Sequence, residues 1–228
     1  MLTRRQTFLA ATAMPFIGLA DPARAEDKVV KIGVDLSLTG ADSQGAARVK
    51  NAIVMAVDGA NQANAIPGYK IDLLVLDDGT ATAGQYDPAQ AATNARKMVA
   101  DKDVVAAIGP QMSGAGKAMT PILSQGGLAT ITPSSTNPDI TNPKFAEQYR
   151  PAGKPIYFRT VTTDAFQGPN MANFLAEKLK VKSVYILDDS GAFGVGVADS
   201  FQKQAEAKGR RCLAATGWIR KRPTTRPF

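Results

Sequence analysis

Two groups of hydroxyl-bearing residues lie on either side of one helix-like segment, and each group follows a short apolar run. Ser113 comes after the first run, and Ser134, Ser135 and Thr136 come after the second. Hydroxyl and backbone N–H groups can hold an anion such as a carboxylate without adding a buried charge. The chain contains no histidine, so no imidazole is present to activate a hydroxyl as a nucleophile. The residue types therefore predict a ligand-binding site and no catalytic residues.

The segment 104–136 brings these two groups together. It reads as strand, loop, helix, strand and loop, which is a βαβ unit. Loops that follow parallel strands emerge at one edge of the sheet, where open α/β sheets bind small ligands. Pro121 lies inside the apolar stripe of the predicted helix, and an interior proline costs about 3 kcal/mol. We therefore expect a kink or a late start in this helix, and an end at Gly126-Gly127.

The rest of the sequence alternates between strand-like and helix-like segments, which predicts the α/β class with parallel sheets. Further strands are predicted at 29–36, 70–76, 156–161 and 182–187, and further helices at 49–60, from Pro88 onward, after Gly168-Pro169 and at 194–208. Asp87 is the predicted N-cap of the helix that starts at Pro88. In the helix after Pro169, one apolar face is shared by Met171, Phe174, Leu175 and Leu179.

The formal net charge is +7, but the cations are concentrated at the two ends of the chain. Residues 26–207 contain 17 Lys and Arg against 19 Asp and Glu. The body of the chain is slightly acidic, so no nucleic-acid-binding surface is predicted. Seven cations and no acid follow from Lys208 onward. We expect 210–228 to be an aberrant basic tail with no strand longer than a few residues; a solvated basic terminus is the alternative.

The first 25 residues have the features of a secretory signal peptide. Arg4 and Arg5 precede an apolar segment at 8–20 that is too short to span a bilayer. Ala23-Arg24-Ala25 then supplies a small-x-small cleavage site. Cleavage after Ala25 predicts an exported protein, by either the general or the twin-arginine route.

Other kinds of site are disfavoured by the sequence. The loop after the third strand is not a phosphate-binding loop, because Gln111 occupies the first glycine position and Ala118 replaces the required Ser or Thr. Asp77-Asp78 and Asp188-Asp189 end strands, where aspartates more often cap the following loop than bind a metal. Cys212 is the only cysteine, so no internal disulfide is predicted. No metal and no cofactor are predicted.

Several motifs occur together in the order seen in one protein family. They are DLSLTGADSQG after the first strand, DD with DP before the second helix, GPQMSG, ITPSST, FRTVTTDAFQGP and DDSGAFGVG. Over residues 28–208 the chain resembles the amino-terminal part of periplasmic substrate-binding proteins of the leucine/isoleucine/valine-binding type, the type I binding proteins of ABC importers. The resemblance implies Rossmann-like lobes of parallel sheet around an amino-acid cleft: a signal peptide at 1–25, lobe 1 at 26–155 and an incomplete lobe 2 at 156–209.

The resemblance also implies roles for the predicted site residues. The hydroxyls of Ser113 and Thr136 match groups that hold the ligand carboxylate. The backbone carbonyl of Ser134 matches the one that receives the ligand ammonium group, and Ser135 is a neighbour. Phe193 stands where many members have a Tyr that lines the cleft from the second lobe.

The implied function is that of a non-enzymatic periplasmic protein that binds a branched-chain or similar amino acid and delivers it to the membrane permease subunits of an ABC importer. An exported amino-acid or small-amide sensor of the same fold and an inactive fragment are the alternatives. Gly45 stands where an aromatic residue often covers the ligand, which departs from the family pattern. Because most of lobe 2 is expected to be missing, we expect weak binding at best.

Overall fold

The computed structural model describes residues 27–215, so the predicted signal peptide and the end of the predicted basic tail lie outside the described residues. The strands are β1 (Lys28–Leu36), β2 (Tyr69–Asp77), β3 (Val104–Ile108), β4 (Thr130–Thr132), β5 (Tyr157–Arg159), β6 (Ser183–Leu187) and β7 (Arg211–Ala215). The α-helices are α1 (Ser43–Gln62), α2 (Pro88–Ala100), α3 (Ser113–Gly126), α4 (Ala146–Tyr149), α5 (Asp164–Asn173) and α6 (Ala192–Ala207). This alternation confirms the predicted α/β class. None of the helices in the described range is long and apolar enough to cross a membrane.

Lobe 1 is built on one parallel sheet of five strands in the order β2-β1-β3-β4-β5. Strand β5 was predicted to begin lobe 2, but it pairs with β4, so the sheet of lobe 1 extends past the predicted boundary at residue 155. Helices α2 and α3 cover one face, where Met98, Met119 and Leu123 are fully buried. Helix α1 covers β1 and β2 on the other face, over Val34 and Leu36. The direction of winding reverses between β1 and β3, so the loops that follow these strands diverge and leave a crevice at the carboxyl edge of the sheet.

Lobe 2, as far as it is described, is smaller. Strands β6 and β7 form a two-stranded parallel sheet beside the helix pair α5 and α6. The two helices pack closely at Gly168, where an added Cβ would collide with the Ser200 hydroxyl of α6. The core of this lobe is formed by Ala172, Phe201 and Ala205.

Of the kink or late start expected from Pro121, the late start of α3 does not occur. The helix begins at Ser113 and continues through Pro121, and Gly127 in the left-handed conformation ends it, as predicted for that end. Met119 and Leu123, on either side of the proline, are both fully buried. Their packing outweighs the loss of one backbone hydrogen bond.

Helix α5 also starts earlier than predicted, at Asp164 and not after Gly168-Pro169. The glycine marks the close approach of α6 and not a helix start. Three residues of the predicted apolar face are about half exposed: Met171, Phe174 and Leu179. The small Ala172 and Ala176 are buried in their place, because only small side chains fit where the two helices come so close.

The strand that is due after Gly209 is present. Arg211–Ala215 forms β7, which pairs in parallel with β6 along all five residues. The expectation that 210–228 lacks such a strand is therefore wrong for these residues. Cys212 packs against the small core of lobe 2, so pairing and packing override the basic composition.

Candidate functional site

A cavity of about 1310 Å³ lies at the carboxyl edge of the lobe 1 sheet. Its wall is built from the loops that follow β1, β2, β3 and β4, and from the loop and first turn that follow β6 in lobe 2. The polar and aromatic residues of this wall include Asp42, Tyr86, Gln111, Ser113, Ser134, Asp189 and Phe193. Five strand ends therefore converge on one space, which is where open α/β sheets bind ligands.

Helix α3 begins at the wall of this cavity. Ser113 is its first residue, and the preceding Met112 supplies no side-chain cap. Both residues line the cavity. The first-turn N–H groups of a helix have no partner within the helix, and the helix dipole adds partial positive charge there. The 14-residue helix thus presents uncapped donors to the cavity, an arrangement that binds anions.

The Ser113 hydroxyl connects the two predicted loops. Its Oγ accepts hydrogen bonds from the Asn137 N–H at 3.3 Å and from the Ser135 hydroxyl at 3.5 Å. The Ser134 hydroxyl donates to the backbone carbonyl of Gln111 at 2.8 Å. The loop after β4 is therefore held against the start of α3, as the βαβ unit predicted.

Two of the four predicted hydroxyl residues line the cavity and two lie behind its wall. Ser113 and Ser134 are lining residues, whereas Ser135 is fully buried and Thr136 is 8% exposed. The Thr136 hydroxyl has no hydrogen-bond partner among residues 27–215. It lies beside the carboxyl group of Asp164, whose pKa is raised by burial; the Thr136 hydroxyl and the positive charge of Arg159 oppose this rise.

Phe193, in the first turn of α6, lines the cavity from lobe 2 and is 44% exposed. The lobes touch beside it, where Asn137 Nδ2 donates to the Ala192 carbonyl at 3.0 Å. Gly196 also lies close, since an added Cβ would be 3.0 Å from Asn137 Nδ2. This contact places the wall that carries Phe193 next to the hydroxyl-bearing loop.

Tyr86 and Asp42 also line the cavity, although neither was predicted from the sequence. The Tyr86 ring packs on the first turn of α3 at Gly114, where an added Cβ would collide with it. The pKa of Asp42 is raised by partial burial and by the negative charge of Asp189 on the lobe 2 wall. Asp42 follows β1 and Tyr86 follows β2. Ligands bind at loops that follow parallel strands, and this principle, which identified Ser113, could have identified both residues.

The paired aspartates at the strand ends cap loops, as predicted. Asp77 Oδ1 accepts hydrogen bonds from the N–H groups of Leu38 at 2.8 Å and Gly79 at 2.8 Å. Asp189 Oδ1 accepts one from the Gly191 N–H at 2.9 Å. In the part of the chain that the structure describes, no group of three or more metal-ligating side chains could hold a metal ion.

Asp35 and Asp78 form a fully buried acid pair below the loops of lobe 1. Asn94 Nδ2 donates to Asp35 Oδ1 at 2.7 Å, and the Ser37 hydroxyl donates to Asp78 Oδ1 at 2.6 Å. Burial and the charge of Asp78 raise the pKa of Asp35 to about 9, against the effect of Asn94. At neutral pH Asp35 therefore keeps its proton.

Known proteins resemble this chain along its described length. A model of the periplasmic binding protein family matches residues 29–217, from β1 to beyond β7. The leucine-, isoleucine-, valine-, threonine- and alanine-binding protein of Pseudomonas aeruginosa is 31% identical over 215 residues, which are 94% of this chain and 53% of that protein. The chain spans about half the length of the curated relatives it matches.

Solved structures show the same likeness. A leucine-binding protein from Thermotoga maritima superposes with a TM-score of 0.70 at 26% identity, over 82% of this chain and 48% of that one. A branched-chain amino acid transporter substrate-binding protein from Streptococcus pneumoniae, solved with isoleucine, gives a TM-score of 0.68 at 26% identity, over 85% and 51%. The fold is thus that of type I binding proteins, and the chain belongs to the periplasmic binding protein family.

Proposed function

We propose that this chain is the ligand-binding part of a periplasmic protein that captures a neutral amino acid for an ABC importer. The observation that carries the proposal is the uncapped amino terminus of α3 at the wall of the 1310 Å³ cavity. Binding proteins of leucine, isoleucine and valine among the relatives support the same ligand class.

The first-turn N–H groups of α3 and the Ser113 hydroxyl bind the ligand carboxylate. A carboxylate that leaves water must regain hydrogen bonds, and each bond to a charged group contributes about 1.5–3 kcal/mol. Donors fixed on a helix lose little entropy on binding, which raises affinity. Thr136, behind the wall, supplies a further donor when the ligand carboxylate reaches the loop.

The cavity also favours a positive group on the ligand. Asp42 and Asp189 belong to its wall, and none of the described lining residues is Lys or Arg. No backbone N–H in the loops of residues 27–215 donates to the Ser134 carbonyl. This carbonyl is therefore free to accept a hydrogen bond from an ammonium group. A zwitterion therefore fits this wall better than a simple anion does.

Apolar surface is available for the ligand side chain. Phe193 and Met112 line the cavity from opposite lobes, and the ring of Tyr86, on the loop after β2, adds to this surface. Burial of an aliphatic side chain such as that of leucine contributes about 1.5–3 kcal/mol. A neutral, apolar amino acid fits all three features of the wall: the donors at the start of α3, the acidic side chains and the apolar surface.

Titration calorimetry of the 228-residue chain tests the ligand class. With leucine, isoleucine, valine, threonine and alanine we expect weak binding, with dissociation constants of roughly 10 µM to 1 mM. Ser113→Ala should weaken the binding about tenfold, whereas Ser183→Ala, at the exposed start of β6, should leave it unchanged. Absence of binding heat with every amino acid, or equal affinity of Ser113→Ala and the unmodified chain, would contradict the proposal.

Delivery of the bound amino acid to permease subunits is part of the same proposal, as is a periplasmic location after cleavage at Ala25. Disruption of the gene should lower uptake of the amino acid that binds, measured with radiolabelled ligand in whole cells. Normal uptake together with a lost chemotactic or transcriptional response would favour the exported sensor.

A further inference from the structure

Arg159, the last residue of β5, binds the backbone on both sides of Thr136. Its Nε donates to the Ser135 carbonyl at 2.9 Å, and its Nη2 donates to the Asn137 carbonyl at 2.6 Å. Its Nη1 donates to Thr141 Oγ1 at 2.8 Å. One planar guanidinium therefore fixes three points of the loop that follows β4.

The Ser135 carbonyl belongs to the same peptide group as the Thr136 N–H. A cationic donor on the carbonyl oxygen polarises the peptide and makes its N–H group a stronger donor. Within residues 27–215 this N–H donates to no backbone carbonyl. The Thr136 hydroxyl lies beside the carboxyl group of Asp164, but the geometry there is too poor for a hydrogen bond. The next N–H along the chain, of Asn137, donates to the Ser113 hydroxyl at the cavity wall. The polarised peptide thus lies next to the start of α3.

The hydrogen bonds of Arg159 all go to neutral oxygens, and its positive charge also acts on the nearby carboxyl group of Asp164. Arg159 takes part in none of the salt bridges formed among residues 27–215, and its guanidinium lies 5.1 Å from the centre of the Tyr157 ring. Burial lowers the pKa of Arg159, which reflects the cost of placing a cation there. A side chain needed only to fill this space could be apolar and would avoid that cost.

We propose that Arg159 is a positioning residue of the carboxylate site: it orients and polarises the Ser135–Thr136 peptide so that the Thr136 N–H binds the ligand carboxylate. The inference rests on the proposed function and extends it to a residue that does not line the cavity. Lysine cannot replace it, because one ammonium group on a long stem cannot bind three oxygens in a plane.

The test compares leucine with leucinamide, which keeps the ammonium group and the side chain but lacks the carboxylate charge. Arg159→Lys and Arg159→Met are prepared in the 228-residue chain, with Arg96→Lys and Arg96→Met on the exposed face of α2 as matched controls. We expect Arg159→Met to weaken leucine about tenfold to a hundredfold and to change leucinamide by less than about threefold. Arg159→Lys should restore at most part of the leucine affinity, and the Arg96 variants should bind both ligands normally.

A second measurement does not depend on ligand binding. In ¹⁵N-labelled chain, Arg159→Lys should shift the Thr136 amide proton upfield, towards that of a weaker donor, while the Arg96 variants leave it in place. If the unmodified chain binds neither ligand, the proposed function fails, and the amide shift still decides whether Arg159 polarises this peptide. Equal weakening of leucine and leucinamide, an unmoved Thr136 amide, or unfolding of both Arg159 variants would assign Arg159 to stability alone and overturn the inference.

Discussion

The two walls of the cavity belong to regions that are built very differently. Lobe 1 places helices on both faces of a five-stranded sheet, and Met98, Met119 and Leu123 in its core are fully buried. In the described part of lobe 2, the largest core residue is Phe201 at 7% exposure, and Leu187 on the sheet is 58% exposed. The binding groups with fixed geometry therefore lie in the lobe that can hold them rigidly.

The same difference appears in the site itself. Ser113 is held by hydrogen bonds to the loop after β4, whereas Phe193 is 44% exposed at the start of α6. Rigid donors bind a carboxylate without first losing entropy, and a partly exposed ring contributes only when a ligand covers it. We expect lobe 1 to determine that an amino acid binds, and the lobe 2 wall to influence which side chain is preferred.

The largest expected difference between the lobes is in the loss of stability when a leucine of each lobe is replaced by alanine. Leu123→Ala in α3 removes a fully buried side chain and should lower the free energy of unfolding by about 2–5 kcal/mol. Leu187→Ala in β6 removes one that is mostly exposed and should change it by less than about 0.5 kcal/mol. Urea denaturation measures both. Similar losses in the two variants would show that the lobes do not differ in packing.

The buried acid pair of lobe 1 should make stability depend on pH. The pKa of Asp35 is about 9 in the folded chain and ordinarily 3.8, so the folded state keeps a proton that the unfolded state loses. Between these values the contribution of this group to the free energy of unfolding falls as the pH rises, by up to about 1.4 kcal/mol per pH unit. Above the folded-state pKa it falls no further.

Asp35→Asn removes this dependence, because an amide resembles the protonated acid and cannot lose a proton. The variant should be more stable than the unmodified chain, by an amount that grows as the pH rises from about 5 to about 8. Urea denaturation across that range gives the difference, and Asp103→Asn on the exposed loop before β3 is the control. A constant difference would mean that Asp35 and Asp78 share no proton.

Much of lobe 1 follows from the sequence, because its signals are local. Asp87 at the start of α2 accepts hydrogen bonds from the N–H groups of Ala89 and Gln90, as its capping pattern predicted. The juxtaposition of Ser113 with the loop after β4 followed from the βαβ unit alone. Both features depend on residues near one another in the chain, or on a connection whose geometry is always the same.

The features that sequence analysis missed depend on contacts between distant segments. Gly168 resembles a helix start until the Ser200 side chain of α6 is placed against it. Asp35 and Asp78 read as ordinary polar ends of strands, and only adjacent strands bring the two carboxyls together. Arg159 carries no local signal at all, because its three partners are 18 to 24 residues away in the chain. The role of Arg159 in ligand binding is a prediction.

A smaller difference in stability is expected between loss of the helix cap at Asp87 in lobe 1 and loss of the turn hydrogen bond at Asp189 in lobe 2. Asp87→Ala removes the N-cap of α2 and should lower the free energy of unfolding by about 1 kcal/mol. Asp189→Ala removes a single hydrogen bond to the Gly191 N–H in an exposed turn of lobe 2, and should cost less than about 0.5 kcal/mol. Thermal or urea denaturation of both variants gives the comparison. A larger loss from Asp189→Ala would indicate that the lobe 2 turn is as firmly held as the lobe 1 helix.

At Phe193 we expect little effect on stability and a measurable effect on ligand selectivity. Phe193→Ala should change the free energy of unfolding by less than about 0.5 kcal/mol, since the ring is 44% exposed. It should nevertheless weaken leucine more than alanine, by roughly threefold to tenfold, because only the longer side chain reaches the ring. Parallel calorimetric titrations with the two amino acids measure this ratio, and Phe166→Ala, on an exposed position of α5, is the control. An equal loss for leucine and alanine would assign side-chain preference to lobe 1 and not to the lobe 2 wall, since Tyr86 and Met112 are the large apolar lining residues of lobe 1.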